Sequence, residues 1–367
     1  MRVKFSYLED QFVDPKPILH EIEKLVRSAD FTLGYPLREF ESSFARLIGA
    51  RYAVGVNSGT DALFLALKAL GVGPGDEVIT VSFTFVATCG AIVATGAKPV
   101  FVDIEKNDYV MSPALIEKAI TPRTKALLPV HYAGHAANMP AIMAIARKHK
   151  LAVVEDSCQA ITAAVDGQCT GTFGDAGGFS LHPLKNLNVW GDGGVIVTNS
   201  EALRDTLLLL RNHGLKNRDV VSVYGYNSRL DSLQACVGNV LIKDAAWITE
   251  QRIKWGNRLD AGLKDVSAHV TIPVRKPNQR YVYHLYMLMV KDRDRLLKYL
   301  IDHEIEAKVH YPIPMHLQEC SRALGYKRGD LPVTEAQCDS IITLPAHQHL
   351  REEHIDYMIE TIRKFYT

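Results

Sequence analysis

Two residues of this chain have the type and setting for carbonyl–amine chemistry. They are Lys185, in Gly178-Phe-Ser-Leu-His-Pro-Leu-Lys185-Asn186, and Asp156, in Val154-Glu-Asp156-Ser-Cys-Gln159. The apolar run Leu151 to Val154 ends in the Asp156 carboxylate, and after a Gly-rich loop a second short strand leads into Lys185. A lysine amine can form a Schiff base with an aldehyde, and an aspartate can keep a pyridine nitrogen protonated so that the ring accepts electrons. Pyridoxal 5′-phosphate (PLP) asks its protein for these two groups. Any α/β chain also contains surface lysines and helix-start aspartates, so the pair gains weight only from what accompanies it in order.

Four further segments accompany it. Asn57-Ser58-Gly59-Thr60-Asp61 opens the apolar helical run Leu63 to Leu70, leaving backbone N–H groups free for a phosphate at the positive end of a helix. An ordinary N-cap by Ser58 or Thr60 explains the same residues. Phe85, in Thr84-Phe85-Val after the strand Val78 to Val81, is either an aromatic that stacks on a pyridine face or plain core. Ser180, five residues before Lys185, carries a hydroxyl that could reach a phosphate from the lysine's own loop. Gly225-Tyr-Asn227-Ser-Arg229-Leu-Asp231 precedes an apolar helix, and its charged residues read equally as a capped helix start with an internal Arg229–Asp231 pair.

This ordered set, with Gly191-Asp-Gly-Gly, His310-Tyr311-Pro-Ile-Pro-Met-His316-Leu-Gln318 and Leu344-Pro-Ala-His347, resembles the DegT/DnrJ/EryC1/StrS family of PLP-dependent aminotransferases acting on nucleotide-linked keto-sugars. The resemblance implies an aspartate-aminotransferase-like fold (fold type I of PLP enzymes), α/β, with a mostly parallel central sheet and a smaller C-terminal α/β domain. It makes Lys185 the Schiff-base lysine and Asp156 the partner of the pyridine nitrogen. Gln159 would bond the ring hydroxyl, Phe85 would stack on the ring, and Gly59, Thr60 and Ser180 would hold the phosphate. Asn227 would reach the phosphate of a neighbouring subunit's cofactor, which implies a homodimer with shared active sites. Leu184 stands where the family usually has threonine, and Ile161-Thr162 replace a common His-Gly or Ile-Gly.

With those roles, Lys185 would be displaced by an amino donor, glutamate or glutamine, and its neutral amine would then remove the donor's α-proton. The reverse steps would deliver the amine to a sugar ketone. Arg229 is a candidate anchor for the donor carboxylate or a sugar diphosphate, since a guanidinium forks onto either. His310, Tyr311 and His316, in a segment held extended by Pro312 and Pro314, are candidates to line the sugar pocket. That segment looks like the one in family members making 3-amino sugars, which favours a 3-keto-hexose over the alternative 4-keto-sugar. A dehydratase branch of the family has histidine at the lysine position, and Lys185 argues against it. A non-catalytic sensor of the same fold would not need the full set of cofactor residues.

The remaining composition narrows the classes. Net charge is +1 and charged residues make up 23%, so bulk charge suggests neither nucleic acid nor a membrane surface as partner. Six cysteines lie scattered without CxxC or His-rich spacing, which speaks against a metal site or a disulfide framework and fits a reducing cytoplasm. Neither a signal-peptide pattern nor the ~20-residue apolar run of a membrane helix is present.

The elements that must position these groups follow from periodicity. Val78–Val81, Val100–Ile104, Ala126–Val130, Leu151–Glu155, Gly178–Leu181 and Val195–Thr198 read as strands buried on both faces, with Leu115–Ile120 and Met139–His149 as intervening helices. Functional groups then belong at carboxyl ends of strands, where Phe85, Asp156 and Lys185 fall. A long helical stretch from Ser232 to about Leu263 follows. Val270–Val274, Tyr281–Val290 and Lys308–Tyr311 read as strands, and Asp292–His303 and His354–Tyr366 as helices. The expected division is residues 1–250 for a PLP-binding domain and 251–367 for a small domain.

Overall fold

The computed structural model describes residues 1–367. Its strands are β1 Tyr52–Val56, β2 Glu77–Val81, β3 Lys98–Val102, β4 Thr124–Leu127, β5 Ala152–Asp156, β6 Ala164–Val165, β7 Gln168–Cys169, β8 Ala176–Ser180, β9 Gly194–Thr198, β10 Val270–Thr271, β11 Gln279–Arg280, β12 Tyr286–Val290 and β13 Ile341–Leu344. Seven of them form the large sheet, in the order β1-β9-β8-β5-β4-β2-β3. From β3 to β8 all pairs are parallel, whereas β9 lies antiparallel between β8 and β1. That single reversal matters for chemistry. An antiparallel pair needs no crossover helix, so residues 181–193 are free to form the loop that presents Lys185.

Strands β2, β8 and β9 are buried at every position, as a sheet covered on both faces requires. Successive side chains point to opposite faces. Ile196 packs with Leu63 and Leu67 on one side, while Val195 and Val197 pack with Phe40 and Phe44 on the other. Towards the other edge of the sheet, Val153 joins Ile142 and Ile116 while Val154 faces the helix Gly59–Ala69.

A separate core unites Trp255, Leu259, Leu288, Ile342, Leu344, Ile355 and Met358 around the sheet β10-β12-β13. Val3 belongs to it, and its N–H donates to the Glu304 carbonyl at 2.9 Å. The N-terminal segment, counted with residues 1–250 from sequence, therefore packs into the C-terminal core.

Several expected elements change. The sequence pattern does not mark β1, because Gly55 interrupts a short run. The helical stretch from Ser232 is two helices, Ser232–Leu241 and Ala245–Gly262, separated by a 3₁₀ turn at Ile242–Asp244. Of 270–274 only Val270–Thr271 is strand, since Pro273, two residues further on, removes a ladder donor. Residues 308–311 contribute one bridge, Lys308 to Thr343.

Candidate active site

Three strand ends and one helix start converge on a cavity of about 370 Å³, lined by Gly59, Thr60, Phe85, Asp156, Gln159, Ser180 and Lys185 among others. Asp156 ends β5. Its neighbour Glu155 points to the opposite face, fully buried, where it accepts from the N–H groups of Gly171, Phe173 and Gly174 and contacts His131 at 2.9 Å. One carboxylate therefore shapes the loop before β8 and the other faces the cavity. Asp156 Oδ2 accepts from Thr88 Oγ1 at 2.7 Å and Oδ1 from the Cys158 N–H at 3.1 Å, which fixes the plane of the carboxylate. Thr88 is held in turn by Thr84. Neither threonine was singled out from sequence, although their i,i+4 spacing at a helix start was a signal.

Lys185 is anchored through its backbone. Its N–H donates to the His182 carbonyl, and its own carbonyl accepts from Tyr7 Oη at 2.7 Å and Asn188 Nδ2 at 3.2 Å. The amine makes no ion pair, and burial lowers its pKa below the ordinary lysine value, partly opposed by the negative charge of Asp156. A larger neutral fraction follows, which a nucleophile and proton acceptor needs.

Ser58 Oγ caps the helix Gly59–Ala69 by accepting from the Asp61 N–H at 3.1 Å, so the capping reading is correct for Ser58. The Gly59 and Thr60 N–H groups have no backbone partner and border the cavity. A side chain at Gly59 would place a Cβ 2.6 Å from Ser180 Cβ, so glycine is what lets the helix start approach the end of β8. Gln159 Oε1 accepts from the Ala133 N–H at 2.7 Å, which turns the amide nitrogen towards the cavity. Phe85 is 49% exposed at the cavity wall, with Tyr311 5.7 Å away between ring centroids. It is therefore not core, the other reading open from sequence.

This donor set fits PLP. There is a buried carboxylate for a protonated ring nitrogen, an amide donor for a ring oxygen, an uncovered aromatic face and free N–H groups for a phosphate.

Not every candidate falls here. His310 and Tyr311 line the cavity. Burial brings the His310 imidazole down to about 4 and pushes the Tyr311 phenol up to about 12, so both are neutral near pH 7. His316 is a correction: it is buried outside the cavity, with Nδ1 2.7 Å from Ser82 Oγ and Nε2 3.1 Å from Glu335 Oε1. Arg229 Nη1 donates to Asn212 Oδ1 at 3.0 Å, the residue forms no pair with Asp231, and it lies outside the cavity of its own chain. Asn227 is exposed and also lies outside the cavity of its own chain. Leu184 borders the cavity. Thr162 takes φ +64°, a left-handed conformation that favours glycine, with its hydroxyl 3.1 Å from Thr249 Oγ1.

The walls also include Phe5, Tyr7, Arg252 and His284, which no sequence motif marks, and His347 of the Leu344-Pro-Ala-His347 segment. Arg252 carried one readable signal. It occupies a core position of its helix, in register with Ile248, Trp255 and Leu259.

Known proteins resemble this chain over nearly its whole length. A model of the DegT/DnrJ/EryC1/StrS aminotransferase family matches residues 14–363. A UDP-N-acetyl-3-dehydro-α-D-glucosamine 3-aminotransferase of Acidithiobacillus ferrooxidans is 41% identical, over 99% of this chain and 96% of its own. A protein of Geobacillus stearothermophilus named pleiotropic regulatory protein is also 41% identical, over 100% and 99% of the two chains. Among solved structures, S. venezuelae DesV in complex with a ketimine intermediate superposes with a TM-score of 0.96 at 37% identity, covering 99% of this chain and 98% of that one.

Proposed function

The chain belongs to the DegT/DnrJ/EryC1/StrS aminotransferase family, and from that premise we propose that it moves an amino group from L-glutamate to C3 of a nucleotide-linked 3-keto-hexose. It is a PLP-dependent sugar aminotransferase of fold type I. The observation that carries the proposal is the single cavity holding Lys185, Asp156 and Gln159 together with His310 and Tyr311. Support for C3 comes from the 3-aminotransferase relative and from the His310-Tyr311 wall. Tyr132 Oη donates to the His310 carbonyl at 2.7 Å and His310 Nδ1 lies 3.0 Å from Thr343 Oγ1, so the wall is stiff. A stiff wall selects which ring carbon comes within reacting distance, about 3–3.5 Å.

PLP, when bound, supplies an aldehyde that accepts the amino group and a ring that takes up electrons. Lys185 Nζ removes the proton from the donor's α-carbon and later returns one at the sugar carbon. Asp156 would keep the ring nitrogen of bound PLP protonated, and Gln159 Nε2 would donate to its ring oxygen. The test is the reverse reaction with 2-oxoglutarate and matched 3-amino and 4-amino nucleotide sugars. Turnover is expected with the 3-amino compound; turnover confined to the 4-amino compound would overturn C3 and favour the 4-keto alternative.

The protein works as a homodimer in this reading, with the helix Ala245–Gly262 joining a PLP-binding and a small domain near residue 250. Two observations support it. The donors at the phosphate end are all neutral groups of Gly59, Thr60 and Ser180. The segment around Asn227 also exposes Val220, Val221, Val223 and Tyr224, the last 98% exposed, an apolar patch that asks for a cover. Asn227→Ala is then expected to weaken PLP retention about tenfold, the worth of one charge-assisted hydrogen bond, without changing the absorbance of the bound cofactor. Dialysis against PLP-free buffer reads the retention, and a fully active monomer in sedimentation would contradict the shared site. The chain has no helix long and apolar enough to cross a membrane, and six free thiols support a cytoplasmic setting.

A further inference from the structure

Arg252 is a charged group without a counter-charge. It is 2% exposed, in the middle of the helix Ala245–Gly262, and lines the same cavity as Lys185. Its hydrogen-bond acceptors are all neutral: Nε donates to Gln348 Oε1 at 3.1 Å, and Nη1 to the Tyr283 carbonyl at 3.1 Å and the His284 carbonyl at 3.4 Å. Nη2 has no partner. The guanidinium lies over the Tyr7 ring, 5.1 Å from its centroid, and Tyr7 Oη bonds the Lys185 carbonyl. The cation therefore sits one aromatic ring from the lysine's backbone.

The surroundings make it singular. His182, His284, His310 and His347 line the cavity, and burial holds all four below the ordinary histidine pKa, His347 at about 3. Burial also lowers Lys185. A guanidinium stays protonated in proteins, which leaves Arg252 as the one fixed cation on the cavity wall. A buried charge with only neutral acceptors is costly, and an incoming anion offsets that cost. A carboxylate is small enough to reach an inner wall and matches the guanidinium's planar donors.

Building on the proposed function, we propose that Arg252 binds the α-carboxylate of the amino donor, the role first considered for Arg229. The Tyr7 ring supports the guanidinium from below, and Gln348 fixes its plane. Bound there, the donor carries its amino group towards Lys185, and amines lacking an α-carboxylate are discriminated against.

The test uses the PLP-loaded enzyme. L-Glutamate and 4-aminobutyrate, which lacks the α-carboxylate, are titrated against the visible absorbance, and the non-reacting dicarboxylate maleate is titrated by calorimetry. Arg252→Met is expected to weaken glutamate and maleate about 100-fold and to abolish the preference for glutamate over 4-aminobutyrate. Arg252→Lys keeps the charge but loses the fork, and a loss of about tenfold is expected; it decides the question where the methionine variant does not fold. Binding of a UDP-linked 3-amino sugar should change less than about threefold. Unchanged glutamate and maleate affinity in a folded variant, a loss confined to the sugar nucleotide, or a parent enzyme that binds no maleate would each overturn the assignment. A parent enzyme that binds maleate through Arg252 but never aminates a sugar would instead overturn the sugar reading alone.

Discussion

Lys185→Ala protein is expected to transfer amino groups at less than about one ten-thousandth of the parent rate, the upper range for removing a positioned proton-transfer group. Lys185 Nζ is the only amine on the cavity wall, and its backbone is held at three points, by His182, Tyr7 and Asn188, none of which uses the side chain. Alanine therefore deletes the chemistry and leaves the loop in place. Burial lowers the Lys185 pKa, so folding disfavours its charged form at every pH below the ordinary lysine pKa. Removing the side chain relieves that cost, and the variant should melt no earlier than the parent stripped of PLP. Single-turnover formation of the amino sugar, with the cofactor's visible band as a second reading, checks the result. A variant within tenfold of the parent rate would remove Lys185 from the mechanism. In the parent, the rate of donor deprotonation should rise with pH and level off below the ordinary lysine pKa, because the active form is the neutral amine.

The Asp156→Asn exchange is expected to slow the glutamate half-reaction about 10²–10³-fold, the usual scale for removing one aligned electrostatic partner from a closed site. The substitution is chosen for its shape. An asparagine keeps an oxygen for the Cys158 N–H and offers an amide nitrogen to the Thr88 hydroxyl, the two groups that orient the carboxylate. What disappears is the charge that keeps a ring nitrogen protonated. Stopped-flow absorbance with glutamate measures the effect, with cofactor content determined in parallel so that weaker retention is not mistaken for slower chemistry. A loaded variant within threefold of the parent would mean that Asp156 does not act through its charge.

Much of this site was readable because the relevant signals are local. A strand ending in a carboxylate, a helix opened by Ser58-Gly59-Thr60 and a short strand leading to Lys185 are each written within a few residues. Helix periodicity placed Met139–His149 to the residue. Where elements were misread, a local rule had been overridden. Residues 308–311 look like a strand, but only Lys308 finds a partner, because the next residues turn to wall the cavity. Arg229 and His316 show the limit for single residues. An arginine beside a helix start and a histidine in a proline-fixed segment suit a binding site by type, yet Asn212 holds the first and Ser82 with Glu335 enclose the second.

By itself, then, the sequence determined the alternation of strand and helix, the cap at the start of the helix that bears Gly59 and Thr60, the strand end carrying Asp156 and the short strand that leads to Lys185. All of these depend on neighbours a few residues apart. Only the tertiary structure decided that Tyr7 holds Lys185 from 178 positions away, that Gln348 steadies Arg252 from 96 away, and that Arg252 faces the cavity while Arg229 does not. The reason is physical. Periodicity tells which face of a helix is buried, but not whether that face meets core or cavity, and this depends on how distant segments pack against it.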